Sequence, residues 1–134
     1  MTKTKTPMIS VVIATRDRSV MLEQCLNHVI AQNYPNYEIV VVDNSPDDLT
    51  TKVVDKFPVS SYIRQSPNTD NLSYLRNVGI NRSCGELIAL LDDDSLVQPG
   101  WMIAISEAFN DPQVGGVTGR VIEDVAPVDN SPII

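Results

Sequence analysis

An α/β fold with a mostly parallel sheet is predicted by three features of this 134-residue sequence. Apolar runs of strand length alternate with stretches of helical periodicity. The runs are too continuous for strands with one wet face, so they read as strands buried on both faces. Several of them end in a carboxylate, the place where open α/β sheets bind their ligands. Glu86-Leu87-Ile88-Ala89-Leu90-Leu91 is the clearest case, because it runs straight into Asp92-Asp93-Asp94-Ser95. Three adjacent anions repel one another, so a cation is expected there. A hard divalent ion would take such oxygen ligands and share them with substrate phosphates. The plainer alternative is a solvated acidic turn with Asp94 or Ser95 capping a helix.

Ile9-Ser10-Val11-Val12-Ile13-Ala14-Thr15 is rich in β-branched residues and reads as the first strand, with a polar exit through Arg16-Asp17-Arg18-Ser19. From about Ser19 to Gln32, Leu22, Leu26, Val29 and Ile30 recur at i, i+4, i+7 and i+8, one apolar helical face. Asn33-Tyr34-Pro35 stops that helix, since a residue before proline disfavours the α region. Tyr37 to Val42 is a second buried strand, ending in Asp43-Asn44-Ser45. A helix over Leu49 to Phe57 follows, with Val53, Val54 and Phe57 inward, then a short strand at Tyr62-Ile63-Arg64. Ser66 to Asn71 is a loop by composition. The next helix runs from about Leu72 to Ser83, with Leu72, Leu75, Val78 and Gly79 on one side. Gly85 is expected to close it in a left-handed cap. After the acidic run, Pro99-Gly100-Trp101 begins a helix reaching Phe109. Gly115 to Ile122 is predicted as a fifth strand, and Val125 to Ile134 carries no pattern.

The length suits one domain with one core. A net charge of −7 argues against nucleic acid, whose phosphates are bound by basic surfaces. Cys25 and Cys84 show no metal spacing and are expected as buried free thiols in a reducing compartment. No apolar run approaches membrane-spanning length, so a cytoplasmic location is expected, with membrane association open for a longer protein.

The first, second and fourth strands all end within two residues of an acid, at Asp17, Asp43 and Asp92 to Asp94. In a parallel sheet these ends line one edge. Arg16, Arg18 and Arg76 supply cations on the same side. No G-x-G-x-x-G follows the first strand and no G-x-x-x-x-G-K-[ST] occurs, which argues against a dinucleotide fold and a P-loop. A nucleotide would need its base and ribose held by polar strand ends and its diphosphate held through a metal.

Residues 8 to about 122 resemble the nucleotide-sugar-binding half of the GT-A fold family 2 glycosyltransferases. The matching segments are Val11 to Arg18, Glu38 to Ser45, Leu72 to Ile80, Gly85 to Asp94 and Pro99 to Trp101, in that order. The resemblance implies a Rossmann-like, three-layer α/β/α architecture. It implies that Thr15, Arg16, Asp17 and Asp43 contact base and ribose, with Asp43 accepting a hydrogen bond from the base. Arg76 matches an arginine near the nucleotide, and Asp92 and Asp94 match the ends of a D-x-D signature. Asp94, with Asp92, would ligate Mn²⁺ or Mg²⁺ on the diphosphate, while Asp92 or Asp93 would hold the ribose. The donor would be a UDP- or GDP-sugar, the acceptor a sugar or a lipid-linked hydroxyl, and the reaction metal-dependent and inverting.

Asn44 stands where the family often has a second Asp, Asn71 where it often has Gly, Leu75 for Ala and Ser95 for Asp. The family domain also continues into an acceptor half carrying a carboxylate general base. Residues 1–7 and 125–134 therefore read as tails of a donor half spanning 8–124, with the base expected beyond Ile134 and no catalytic residue within the chain. Such a chain is expected to bind nucleotide without transferring sugar, and to self-associate through surfaces the other half would cover. His28 reads as a surface residue and Trp101 as core. Two other classes are a receiver-like phosphotransfer domain, disfavoured because no Lys follows Lys56, and an interaction module without chemistry.

Overall fold

A computed structural model describes residues 6–69 and 71–122, in which strands and helices alternate. The order is β1 (Ile9–Thr15), α1 (Ser19–Ile30), β2 (Tyr37–Asp43), α2 (Leu49–Val54), β3 (Ser61–Arg64), α3 (Leu72–Arg82), β4 (Leu87–Asp92) and α4 (Trp101–Ala108). The four strands form one parallel sheet in the order β3-β2-β1-β4. Thr15 pairs with Asp43 and Ala14 with Asp92, so the carboxyl ends of three strands are level.

Successive side chains of a strand face opposite sides, which divides the core in two. Val11 and Ile13 of β1 and Ile39 and Val41 of β2 meet Leu22, Cys25, Leu26 and Val29 of α1, with Val53, Val54 and Met102 completing the larger cluster. Val12, Val40 and Val42 meet Leu75 and Val78 of α3 on the other face. The result is three layers. The connections through α1 and α2 pack on one face and α3 on the other, so the chain changes direction between β1 and β4. That switch point is where a crevice opens at the strand ends.

β1 and β2 are buried on both faces, as their composition predicts. β4 is not. It is an edge strand, and α3 packs chiefly over β1 and β2, leaving Ile88 39% and Leu90 50% exposed. The fifth strand predicted over Gly115 to Ile122 is absent among the described residues, where 115–122 is irregular and exposed. A Cβ added at Gly115, Gly116 or Gly119 would meet open space. An open groove of about 790 Å³ lies between β4, α4 and residues 115–119. Ile30 and Leu72, the last residue of α1 and the first of α3, are also partly exposed.

Cys25 is buried, but Cys84 follows α3 and is exposed. Gly85 does not take the left-handed cap, since Gly100 at φ 85° is the one described glycine in that region. The need for glycine at 85 is steric. A Cβ there would sit 2.5 Å from Ser10 Oγ, 2.7 Å from Ser10 N and 2.8 Å from the Met8 carbonyl. Asn71 is extended (φ −147°) and caps α3 by accepting a hydrogen bond from the Tyr74 N–H, in place of the left-handed role its family counterpart implies. Gln32 fixes α4 against α1: its Oε1 accepts from the Met102 N–H and its Nε2 donates to the Gln98 carbonyl. The chain leaving the acidic turn is thereby anchored.

Gly85→Ala pushes a methyl into backbone atoms that cannot yield, and should lower unfolding free energy by about 1–3 kcal/mol in urea. Gly116→Ala, which meets open space, should stay within about 0.5 kcal/mol of the parent.

Candidate functional site at the carboxyl ends of β1 and β4

The crevice at the switch point is an open cleft of about 460 Å³. β1 contributes Ala14, Thr15 and the turn that follows, β4 contributes Asp92 with Asp93 and Asp94, and α3 contributes Leu72, Leu75 and Arg76. Asn44, Thr69 and Asn71 close the end nearest β2.

Alternation decides which way each acid points. Asp92 shares a face with Ile88 and Leu90 and lies on the α3 side, where Arg76 Nη2 donates to its Oδ1 at 2.9 Å. Asp93 turns to the α1 side, as does Thr15 across the ladder. Thr15 Oγ1 donates to Asp93 Oδ2 at 2.9 Å and Arg18 Nη1 to Oδ1 at 3.2 Å. Arg18 Nη1 also lies 3.6 Å from Asp94 Oδ2. The side chains of Asp92 and Asp94 are 63% and 52% exposed, whereas Asp93 is buried. Burial raises the Asp93 pKa above the ordinary carboxylate range, opposed by the Thr15 hydroxyl and the Arg18 charge. Beneath them the Cys25 thiol is pushed up to about 12, first by burial and then by the three acids, so it is an unreactive core thiol.

The turn after β1 is strained for a reason. Asp17 has φ 51°, the one non-glycine residue with positive φ among those described, and its N–H donates to Ser45 Oγ at 2.8 Å. This reversal sends Arg16 and Arg18 to opposite ends of the cleft. Arg16 Nη1 donates to the carbonyls of Asn44 and Pro67, pinning the loop after β3, while Arg18 reaches the acids.

The sequence-predicted residues therefore divide. Thr15, Arg16, Arg76, Asp92, Asp93 and Asp94 line one cleft. Asp17 shapes the turn without lining it. Asp43 is fully buried on the α1 side beneath the cleft, its Oδ1 accepting from the Ser45 N–H and its Oδ2 from Tyr62 Oη, with Arg64 Nε 3.6 Å away. Burial and the bond to Asp43 hold the Tyr62 phenol up at about 12. As a plain surface arginine Arg76 would pair with an acid such as Asp70, which lies outside the described residues.

Arg18 and Asn44 do more here than their sequence positions promised. Asn44 is 3% exposed and lines the cleft, and its Nδ2 donates to the Thr69 carbonyl. Its Oδ1 is the one buried side-chain polar atom among the described residues with no hydrogen-bond partner. Leaving such an acceptor unpaired costs about 1–3 kcal/mol, and native proteins retain that cost where a ligand or water satisfies it. Strand alternation was the available signal, because it puts Asn44 on the α3 face of β2 with Val40 and Val42 and Asp43 on the α1 face with Ile39 and Val41.

Among the described residues, no three His, Cys, Asp or Glu side chains converge to cage a metal ion unaided. Asp92 and Asp94 nevertheless present hard, accessible oxygens to the same cleft. That donor set fits a Mg²⁺- or Mn²⁺-type ion completing its shell with phosphate oxygens and water. No described helix is long and apolar enough to cross a membrane.

Comparison with known proteins agrees with this architecture. Residues 10–131 match the model of the family described as glycosyl transferase family 2. The chain is 34% identical over 109 residues to the glycosyltransferase AglE of Haloferax volcanii, covering 72% of this chain and 33% of that protein. It is 27% identical over 114 residues to the GalNAc(5)-diNAcBac-PP-undecaprenol beta-1,3-glucosyltransferase of Campylobacter jejuni, covering 78% and 35%. Among solved structures, residues 1–349 of S. aureus TarS superpose with a TM-score of 0.71 at 23% identity, over 86% of this chain and 38% of that one. The mannosyltransferase PcManGT of Pyrobaculum calidifontis, solved in complex with GDP-Man and Mn²⁺, superposes at 0.67 with 20% identity, over 81% and 33%. The chain thus spans roughly a third of the length of these two curated relatives. Its fold is the GT-A fold of those structures, and the chain belongs to glycosyl transferase family 2.

Proposed function

We propose that the cleft at the ends of β1 and β4 is the donor site of a glycosyltransferase and binds a nucleoside-diphosphate sugar, UDP- or GDP-linked. The observation that carries this reading is the meeting of accessible Asp92 and Asp94, three arginines and the unpaired Asn44 Oδ1 in one cleft. The two ends are chemically distinct. The β2 end is a polar wall with an orphan acceptor, suited to the N–H edge of a base. The β4 end is acidic and suited to a metal-bridged diphosphate.

In this reading Asn44 accepts from the base, and buried Asp43 shapes that end from beneath by holding the Ser45 turn, with Asp17 and Ser45 linked above it. Thr15 orients Asp93 toward the ribose, and Arg16 holds the wall formed by the Pro67 and Thr69 segment. Arg76 positions Asp92. Asp94, with Asp92, would hold Mn²⁺ or Mg²⁺, which when bound supplies Lewis-acid stabilisation of the leaving diphosphate. For the whole protein we propose inverting transfer to a sugar or lipid-linked hydroxyl at a cytoplasmic membrane face. The general base would come from a region outside this chain, so 8–124 serves as the donor half. The exposed edge of β4 and the groove beside it would bind a second copy of the chain.

Calorimetric titration of UDP and of GDP, with and without Mn²⁺, tests the donor site. Binding should require the metal, and Asp94→Ala should weaken it at least about tenfold, or about 1.4 kcal/mol. Asn44→Ala should weaken the preferred nucleotide about fivefold to thirtyfold and leave folding intact. No binding of either nucleotide would favour an interaction module instead. Sedimentation at micromolar concentration should show a dimer or larger species; a clean monomer would reject the second-copy assignment.

A further inference from the structure

We infer that Arg18 is an internal counter-cation that couples metal binding to diphosphate binding, and this rests on the donor-site reading above. Three observations support it. The first is position. The strained Asp17 turn and the start of α1 fix the Arg18 backbone, whose carbonyl accepts the Leu22 N–H, while its side chain is half-exposed on the cleft wall. The second is occupancy. Arg18 Nη1 bridges Asp93 and Asp94, and it is the one cation among the described residues within ion-pair distance of Asp94. The third is unused capacity. Arg64 engages Nε, Nη1 and Nη2 in a structural network, but Arg18 commits Nη1 alone.

The electrostatic consequence is a competition. A divalent ion at Asp94 would stand against a guanidinium already 3.6 Å from the same carboxylate. Like charges at such separation oppose one another, which weakens binding of the metal alone. A diphosphate reverses the sign, because the planar guanidinium fork matches phosphate oxygens bidentately and leaves the carboxylate for the metal. Arg18 thus disfavours the metal without nucleotide and favours the metal with it. That is a coupling free energy between two ligands, and it is reciprocal. Its service to the protein is to keep the site from filling with free divalent ion before the donor arrives.

The test uses the full chain, with free Mn²⁺ followed by its paramagnetic resonance signal and nucleotide affinity by calorimetry. In Arg18→Gln, Mn²⁺ alone should bind about two- to fivefold tighter, the scale of a half-exposed ion pair. UDP or GDP in the presence of Mn²⁺ should bind more weakly in the same variant, so the coupling factor shrinks from both directions. Arg18→Lys retains charge without the fork, so it should leave Mn²⁺ affinity near the parent value and still lose part of the nucleotide affinity. Unchanged or weaker Mn²⁺ binding by Arg18→Gln, with an unchanged coupling factor, overturns the inference while leaving the donor site standing. A parent chain that binds neither UDP nor GDP with Mn²⁺ overturns both. A purely structural Arg18 would weaken both ligands together.

Discussion

Parallel pairing of β1 with both β2 and β4 is the constraint on which the site depends. Register places Thr15 level with Asp43 and Ala14 level with Asp92, so residues distant in sequence end on one line. Shifting β4 by a single residue would send Asp93 to the α3 side and Asp92 to the α1 side. Thr15 would then lose its carboxylate and Arg76 its partner. The close approach of Gly85 to Ser10 and Met8 fixes that register where β4 begins, and Gln32 fixes the chain where it leaves toward α4. Packing at the bottom of the sheet is therefore linked to chemistry at the top.

Charge is distributed with equal economy. Two arginines face three carboxylates at the acidic end, and each makes a contact that alternation of the strand dictates. Asp93 is the buried member, held by a hydroxyl and a guanidinium, while its neighbours stay wet. A buried carboxylate anchors the turn and two accessible ones are left for a ligand. At the opposite end, a left-handed Asp17 and an unpaired Asn44 Oδ1 are local costs of the kind concentrated at functional sites.

Much of this was legible in the sequence. β-branched runs ending in acids gave the parallel strands and the edge on which they converge, and helical spacing gave α1 and α3. The failures share one physical cause, since periodicity reports a residue's face and not what covers it. β4 reads as doubly buried because Ile88 and Leu90 are apolar, yet its order in the sheet leaves them uncovered. Gly115 to Ile122 has strand-like residues but no neighbour to pair with among those described. Gly85 looked like a cap and proved to be a close contact, which depends on a residue 75 positions away. Asp43 drew attention as the acid of its pair, while the cleft-facing member is Asn44. The Asp17 reversal, which splays Arg16 from Arg18, has no sequence signature beyond the tolerance of Asp for positive φ.

The central claim is that one cleft holds base and metal at its two ends. The most direct test is an NMR titration of the ¹⁵N-labelled chain, with UDP or GDP and Mg²⁺ first, then a trace of Mn²⁺. Amide shifts are expected at Thr15, Asn44 and Thr69, with paramagnetic broadening centred on Asp94 that fades toward Asn44. Shifts confined to the groove beside β4, or broadening centred away from Asp92 to Asp94, would contradict it.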